Sequence, residues 1–217
     1  MRKSIATIGI AMLFFGMAST STAAIYTLSY SGPLDIPDPV NNDAVYVYAD
    51  IADFSLQGSI TDVNVTLDID HYWPQDLDIY LAHSLTGGAG TWTYVQLFNN
   101  EVGGAFISDL KNVTFDDQAG TSISFEYAYW NDLTFKPASS FDADADSNQL
   151  SFLNGDPAAG FWSLVLCDTG VGDTGILQSF QVDIETDAPA AVPIPGAVVL
   201  LGSGLSGLAA IRRARRE

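Results

Sequence analysis

Cysteine is almost absent from this chain: Cys167 stands alone among 217 residues, so no disulfide can form within it. Its setting in the apolar run Phe161–Cys167 reads as a small buried side chain rather than a nucleophile. Histidine is nearly as scarce. His71 and His83, with no His-Glu-x-x-His pattern, make a poor zinc ligand set. They also make a poor basis for a Ser-His-Asp hydrolase, since no Gly-x-Ser-x-Gly accompanies them and the length leaves no room for a second catalytic domain. Positive charge is the third shortage, with 8 Lys and Arg against 26 Asp and Glu and a net charge of -18. No stretch between the two ends has the apolar stripe and caps of a helix.

The ends have a different character. Met1-Arg2-Lys3 is a basic start, Ile5 to Met17 is apolar, and small residues run to Ala24, with Ser21-Thr22-Ala23 or Thr22-Ala23-Ala24 as a small-x-small cleavage site. Residues 1–24 therefore read as a secretory signal peptide, to be removed by signal peptidase. The far end, 189–217, contains Val192-Pro193-Ile194-Pro195-Gly196, an uncharged run of 18 residues from Ile194 to Ile211, and the cluster Arg212, Arg213, Arg215 and Arg216. The run is just long enough to span a bilayer, and the arginines would stay cytoplasmic with the rest of the chain outside. This tail resembles the PEP-CTERM sorting signal of Gram-negative bacteria, with Ile194 in place of the usual glutamate. The resemblance implies recognition by an exosortase-type transpeptidase or protease; an uncut membrane anchor is the plainer alternative.

Removing both ends sharpens the charge. Only Lys111 and Lys136 remain among the basic residues and only Glu217 is lost among the acids, so the exported part, about 165 residues long, carries about −23. Such a chain repels phosphate backbones, which excludes nucleic acid as a partner, and attracts divalent cations.

Between the ends the apolar period is two. Val45–Tyr48, Val63–Asp70, Leu77–Leu81, Trp92–Phe98, Ser122–Tyr129 and Phe180–Glu185 alternate, and Phe161–Leu166 is continuously apolar like a central strand. Turn clusters such as Gly87-Gly88, Asn99-Asn100, Asn154-Gly155 and Gly172–Gly175 separate them. The prediction is an all-β domain over residues 25–188: an antiparallel β-sandwich or jelly roll of about eight strands, each sheet burying one face and wetting the other. The lapse between Phe135 and Asn148 predicts a long loop. It carries Asp142, Asp144 and Asp146, but Ser147 and Leu153 stand where an EF-hand needs glycine and a carboxylate, so a solvated acidic loop is the preferred reading over a weak surface calcium site.

Five elements in order then carry a family resemblance. Ile36-Pro37-Asp38 opens it. His71-Tyr-Trp-Pro-Gln-Asp76-Leu-Asp78-Ile-Tyr-Leu and Thr114-Phe-Asp116-Asp117-Gln-Ala119 follow, then Leu150–Gly155 with Gly160-Phe-Trp-Ser-Leu164, and finally Asp168 with Gly172-Asp173-Thr-Gly175 through Phe180. Together they resemble the P domain, the β-sandwich that follows subtilisin-like proprotein convertases. Gln75 departs from the family's glycine, and the segment after His83 is eroded.

The resemblance implies that Asp76, Asp78, Asp116, Asp117, Asp168 and Asp173 converge at one end of the sandwich and serve structural calcium. Alternation would turn Asp76 and Asp78 to one ion; the competing reading makes Asp116 and Asp117 turn caps. His71 reads as a structural hydrogen-bonding residue. Tyr72, Trp73, Trp92, Tyr129 and Trp130 are aromatic candidates for stacking on sugars or a partner. The function expected is that of an exported, non-catalytic cell-surface or matrix protein in adhesion or exopolysaccharide and biofilm assembly, first held at the inner membrane. The alternative is a secreted hydrolase or protease-accessory subunit working through carboxylates.

Overall fold

The computed structural model describes residues 23–41, 43–100, 109–123 and 132–189. They form nine strands: β1 (Ala23–Ile36), β2 (Val45–Asp53), β3 (Ile60–His71), β4 (Leu77–Ser84), β5 (Thr93–Phe98), β6 (Leu110–Phe115), β7 (Thr134–Phe135), β8 (Gly160–Asp168) and β9 (Gly175–Pro189). One sheet has the order β1-β9-β3-β6-β7 and the other β2-β8-β4-β5; every pairing is antiparallel except β6 with β7. Two single-turn 3-10 segments, Pro74–Asp76 and Leu150–Leu153, complete the described secondary structure.

The period-two pattern decides which residues face inward. On β3, Val63, Val65, Leu67, Ile69 and His71 are buried; on β8, Trp162, Leu164, Leu166 and Asp168 join them from the opposite sheet. With Leu177, Phe180, Val182 and Ile184 of β9, these side chains form one core between the sheets. The apolar series on β3 and β8 thus each end on a polar residue, and both ends lie on the core side.

Two expectations change. Nine strands replace about eight, because β1, β6 and β7 carry too little alternation to be read. In β1 the Gly32-Pro33 pair interrupts the pattern, and the structure accommodates it as a register irregularity between Ser31 and Leu34 on the edge of the sheet. The expected strand over Ser122–Tyr129 falls mostly outside the described residues. Finally, the outer face of the four-stranded sheet is not uniformly wet: β4 is buried along its whole length. The loop carrying Asp142 covers part of that face, its carboxylate accepting from Gln96 Nε2 (2.7 Å), Tyr80 Oη (3.1 Å) and Asn99 Nδ2 (3.0 Å). Asp146 pins the same loop to β5 by accepting from the Tyr94 amide at 2.9 Å.

Among the described residues no helix is long and apolar enough to cross a membrane. The expected leader, except its last two residues, and the sorting tail beyond Pro189, with Val192, Pro193, Ile194, Pro195, Gly196, Arg212, Arg213, Arg215 and Arg216, lie outside the described residues, as do Tyr129 and Trp130.

Candidate functional site

Several crossings between the two sheets lie at one end, and two of them carry the candidate site. Residues 72–76 lead from β3 to β4, and residues 169–174 lead from β8 to β9. Because β3 ends inward on His71 and β8 ends inward on Asp168, these side chains meet across the core boundary. His71 Nε2 lies 3.3 Å from Asp168 Oδ2, with both side chains fully buried. The amide of Trp73 donates to His71 Nδ1 at 3.2 Å. That bond requires a bare Nδ1, so the proton sits on Nε2 and is donated to Asp168. The other oxygen of Asp168 accepts from the Gly170 amide at 3.0 Å.

Asp76 and Asp173 complete the group. Asp76 follows from the 3-10 turn opened by Pro74, and its carbonyl accepts from both the amide (2.9 Å) and hydroxyl (2.8 Å) of Thr169. The first crossing is thereby tied to the second. Two glycines make the close approach possible. A side-chain carbon at Gly170 would overlap the Asp76 carboxylate, and one at Gly175 would overlap the His71 ring.

Asp173 is the anomaly. Its side chain is 11% exposed and Oδ2 lies 3.9 Å from His71 Nδ1, but that nitrogen already accepts from Trp73. Both carboxylate oxygens are buried with no hydrogen-bond donor. Leaving a carboxylate buried without donors is costly. Burial, opposed by His71, then the charges of Asp168 and Asp38, holds the Asp173 carboxyl above its usual range. Burial and then the charges of Asp173 and Asp168 do the same to Asp76, again opposed by His71. No lysine or arginine among the described residues relieves this repulsion: Lys111 sits on Asp68 and Asp70, which alternate outward on β3.

One His71 nitrogen, one Asp168 oxygen and one Asp173 oxygen lie within 4.8 Å of one another. With both imidazole nitrogens hydrogen-bonded, the atoms left to a cation are carboxylate oxygens. A cavity of about 230 Å³, lined by Tyr72, Trp73, Asp76, Val171, Gly172 and Asp173, lies beside the group. The same bonds leave His71 without a free nitrogen to serve as a general base.

The other expected ligands are elsewhere. Asp78 does not share a face with Asp76, because Asp76 belongs to the 3-10 turn and the strand alternation begins only at Leu77. Asp78 turns outward beside Cys167 and accepts from the Asn100 amide at 2.8 Å. Asp116 and Asp117 lie at the opposite end of the sandwich, since β6 runs antiparallel to β3 and Phe115 pairs with Val65, about 20 Å from His71. Asp116 closes a turn by accepting from the Gln118 amide (2.6 Å), and Asp117 caps the second 3-10 segment through the amides of Leu150 (3.0 Å) and Ser151 (2.7 Å). These are the turn and capping roles of the competing reading.

His83, at the far end of the core from His71, stacks on Trp162 with ring centroids 4.2 Å apart. Cys167 is a buried free thiol. Gly170 carries only a faint signal in the sequence, its place two residues after a strand-terminal aspartate, and the outward tyrosines of β2 and β5 carry none beyond their alternation.

No family model matches the chain, and no curated protein does. Among solved structures, the chain is similar to an Aeromonas sobria serine protease crystallised in complex with its chaperone, at 16% identity and a TM-score of 0.35, over 76% of this chain and 28% of that one. The chain thus spans little more than a quarter of that neighbour's length.

Proposed function

We propose that this chain is an exported, non-catalytic module of the cell surface or extracellular matrix, a P-domain-like sandwich of jelly-roll type whose inter-sheet crossings are clamped by calcium. The observation that carries the reading is the Asp173 carboxylate, buried without a donor and facing Asp168. Asp76, Asp168 and Asp173 would hold the ion, with carbonyls of the crossings and water filling a set of roughly six to eight oxygens. The ion would offset two of the three carboxylate charges and tie β3–β4 to β8–β9, so the module would be rigid outside the cell, where calcium is plentiful, and loose before export.

Delivery rests on the two ends. The leader directs export, the apolar run 194–211 with Arg212, Arg213, Arg215 and Arg216 holds the chain at the inner membrane, and Val192–Gly196 is the element an exosortase-type enzyme reads. Released to the surface, an acidic module of this kind would act in adhesion or polymer assembly.

The deciding experiment is thermal unfolding of the full chain in non-ionic detergent, with millimolar calcium or with chelator. Calcium at about a hundred times its Kd raises stability by about 2.7 kcal/mol. Superimposable melting curves would refute the calcium clamp. Delivery is tested separately by fractionating producer cells. Replacing Pro193 and Pro195 by alanine is expected to leave full-length chain in the inner membrane, and unaltered release would refute the sorting role.

A further inference from the structure

The outer face of the four-stranded sheet holds a second concave feature. Its register aligns Tyr48, Val165, Tyr80 and Gln96 in one row across the strands, and Asp50, Ser163, Ala82 and Tyr94 in the next. The two central strands therefore carry short side chains at Val165, Ser163 and Ala82, which make a floor. Tyr46 and Tyr48 rise from the β2 edge; Trp92 and Tyr94 rise from the β5 side. With strands about 4.8 Å apart, the walls stand about 14 Å from each other.

Two adjoining cavities fill this trough. The larger, about 230 Å³, is lined by Tyr46, Tyr48, Tyr80, Tyr94, Asp144 and Val165. The smaller, about 150 Å³, shares Tyr48, Tyr94 and Val165 and adds Asp50, Trp92 and Ser163. Tyr46 and Tyr48 are 49% and 56% exposed. Tyr46, Tyr48 and Tyr94 make no ring contact with another aromatic among the described residues, whereas Tyr80, 8% exposed, is buried with Ala82 and Val165 in a small cluster on which Trp92 and Tyr94 pack. Ser163, 2% exposed, has a hydroxyl with no hydrogen-bond partner.

The charge of the trough selects its ligand. Aromatic faces carry partial negative charge, and several of them beside a carboxylate attract an ammonium group. Asp144 and Asp50 supply carboxylates at the two cavities, and no lysine or arginine lines either. The excess of acids over the whole chain attracts a cationic polymer and repels an anionic one. The size suits a small ligand unit rather than a protein interface. The smaller cavity, with a tryptophan, a buried hydroxyl and a carboxylate, suits a hydroxylated ring.

We propose that this trough binds an amino sugar carrying a free amine, the ammonium group among Tyr46, Tyr48 and Tyr94 facing Asp144 and the hydroxylated remainder toward Asp50 and Ser163. The inference adds a ligand class to the matrix role proposed above but does not use the calcium cluster, which lies between the sheets. Loss of sugar binding and loss of calcium-dependent melting are therefore separate results.

The test is titration calorimetry of the full chain, in a polyoxyethylene detergent and at a pH where the sugar amine is protonated. A glucosamine tetramer is compared with the N-acetylglucosamine tetramer and with choline. The expected result is binding of the free-amine tetramer at least about tenfold tighter than that of either comparison. Tyr48→Leu and Asp144→Asn, both on exposed positions, should each weaken it about tenfold, while Asp35→Asn on the other sheet leaves it unchanged. No binding, equal binding of both tetramers, or preference for choline would overturn the proposal. So would loss of affinity in the Asp35 variant equal to that in the Asp144 variant, because diffuse attraction would then suffice.

Discussion

Asp76 puts its carboxylate where any side-chain carbon on Gly170 would have to sit. The two residues belong to different inter-sheet crossings, so the contact couples the start of β4 to the end of β8, and Thr169 reinforces it through its two bonds to the Asp76 carbonyl.

Gly170→Ala should therefore act at a distance from either strand's core packing. Forcing the Asp76 carboxylate aside is expected to lower stability by about 1–3 kcal/mol, the usual cost of overpacking, and to shrink the calcium-induced rise in Tm. Denaturant unfolding with and without calcium measures both. A variant that matches the parent in both would show that the carboxylate yields freely.

Asp173→Asn is expected to have opposite effects in the two conditions. Without calcium it removes a charge from a site where burial and neighbouring carboxylates disfavour it, so Tm should rise above that of the parent. With calcium the parent should overtake it. Asp117→Ala makes the contrast: it removes the acceptor for the Leu150 and Ser151 amides, which should lower stability by about 1 kcal/mol with the calcium increment intact. Differential scanning calorimetry of the three proteins decides the matter, and an Asp117 variant blind to calcium would move the ion to the other end of the sandwich.

His83 should make stability pH-dependent. Burial holds its imidazole below the usual value against the opposing pull of Asp156 and a bond to the Ala159 backbone, and its Nε2 is buried without a partner. Below about pH 6.5 the unfolded chain takes up a proton that the native ring resists. The contribution of His83 is thus complete above about pH 6.5 and lost as pH falls toward the depressed native value, with a slope of at most about 1.4 kcal/mol per pH unit. His83→Phe should flatten that part of the Tm profile, and an unchanged slope would show that another group carries it.

Asp142 should prove structural and indifferent to calcium. Asp142→Ala removes the acceptor shared by Gln96, Tyr80 and Asn99. The expected loss is about 2 kcal/mol or more, the same in calcium and in chelator. Rescue by calcium would restore the acidic loop as a metal site.

The strands were legible where alternation was clean. Val63–Asp70 falls within β3 and Leu77–Leu81 within β4 because side chains on a pleated strand alternate between a wet and a dry face. β1 was illegible because Gly32 and Pro33 interrupt its pattern, and β7 because two residues have no period. In the site, the acids themselves were visible as turn residues. Their grouping was not: Asp76 and Asp78 look equivalent by spacing, yet a 3-10 turn before Leu77 separates them. The tyrosines of β2 stood in plain alternation, but their role depends on short side chains supplied by β8 and β4.

Composition and period alone determined that this chain is all-β, has no internal disulfide and carries a large excess of acid, since each of these follows from counts and local sterics. Only the tertiary structure decided that His71 meets Asp168, that Asp173 is left without a donor, and that Asp116 and Asp117 stand at the other end. Alternation tells which face a side chain takes; the order of strands in the two sheets tells what waits there. That order is set by long-range pairing of segments as far apart as β1 and β9, which no local pattern contains.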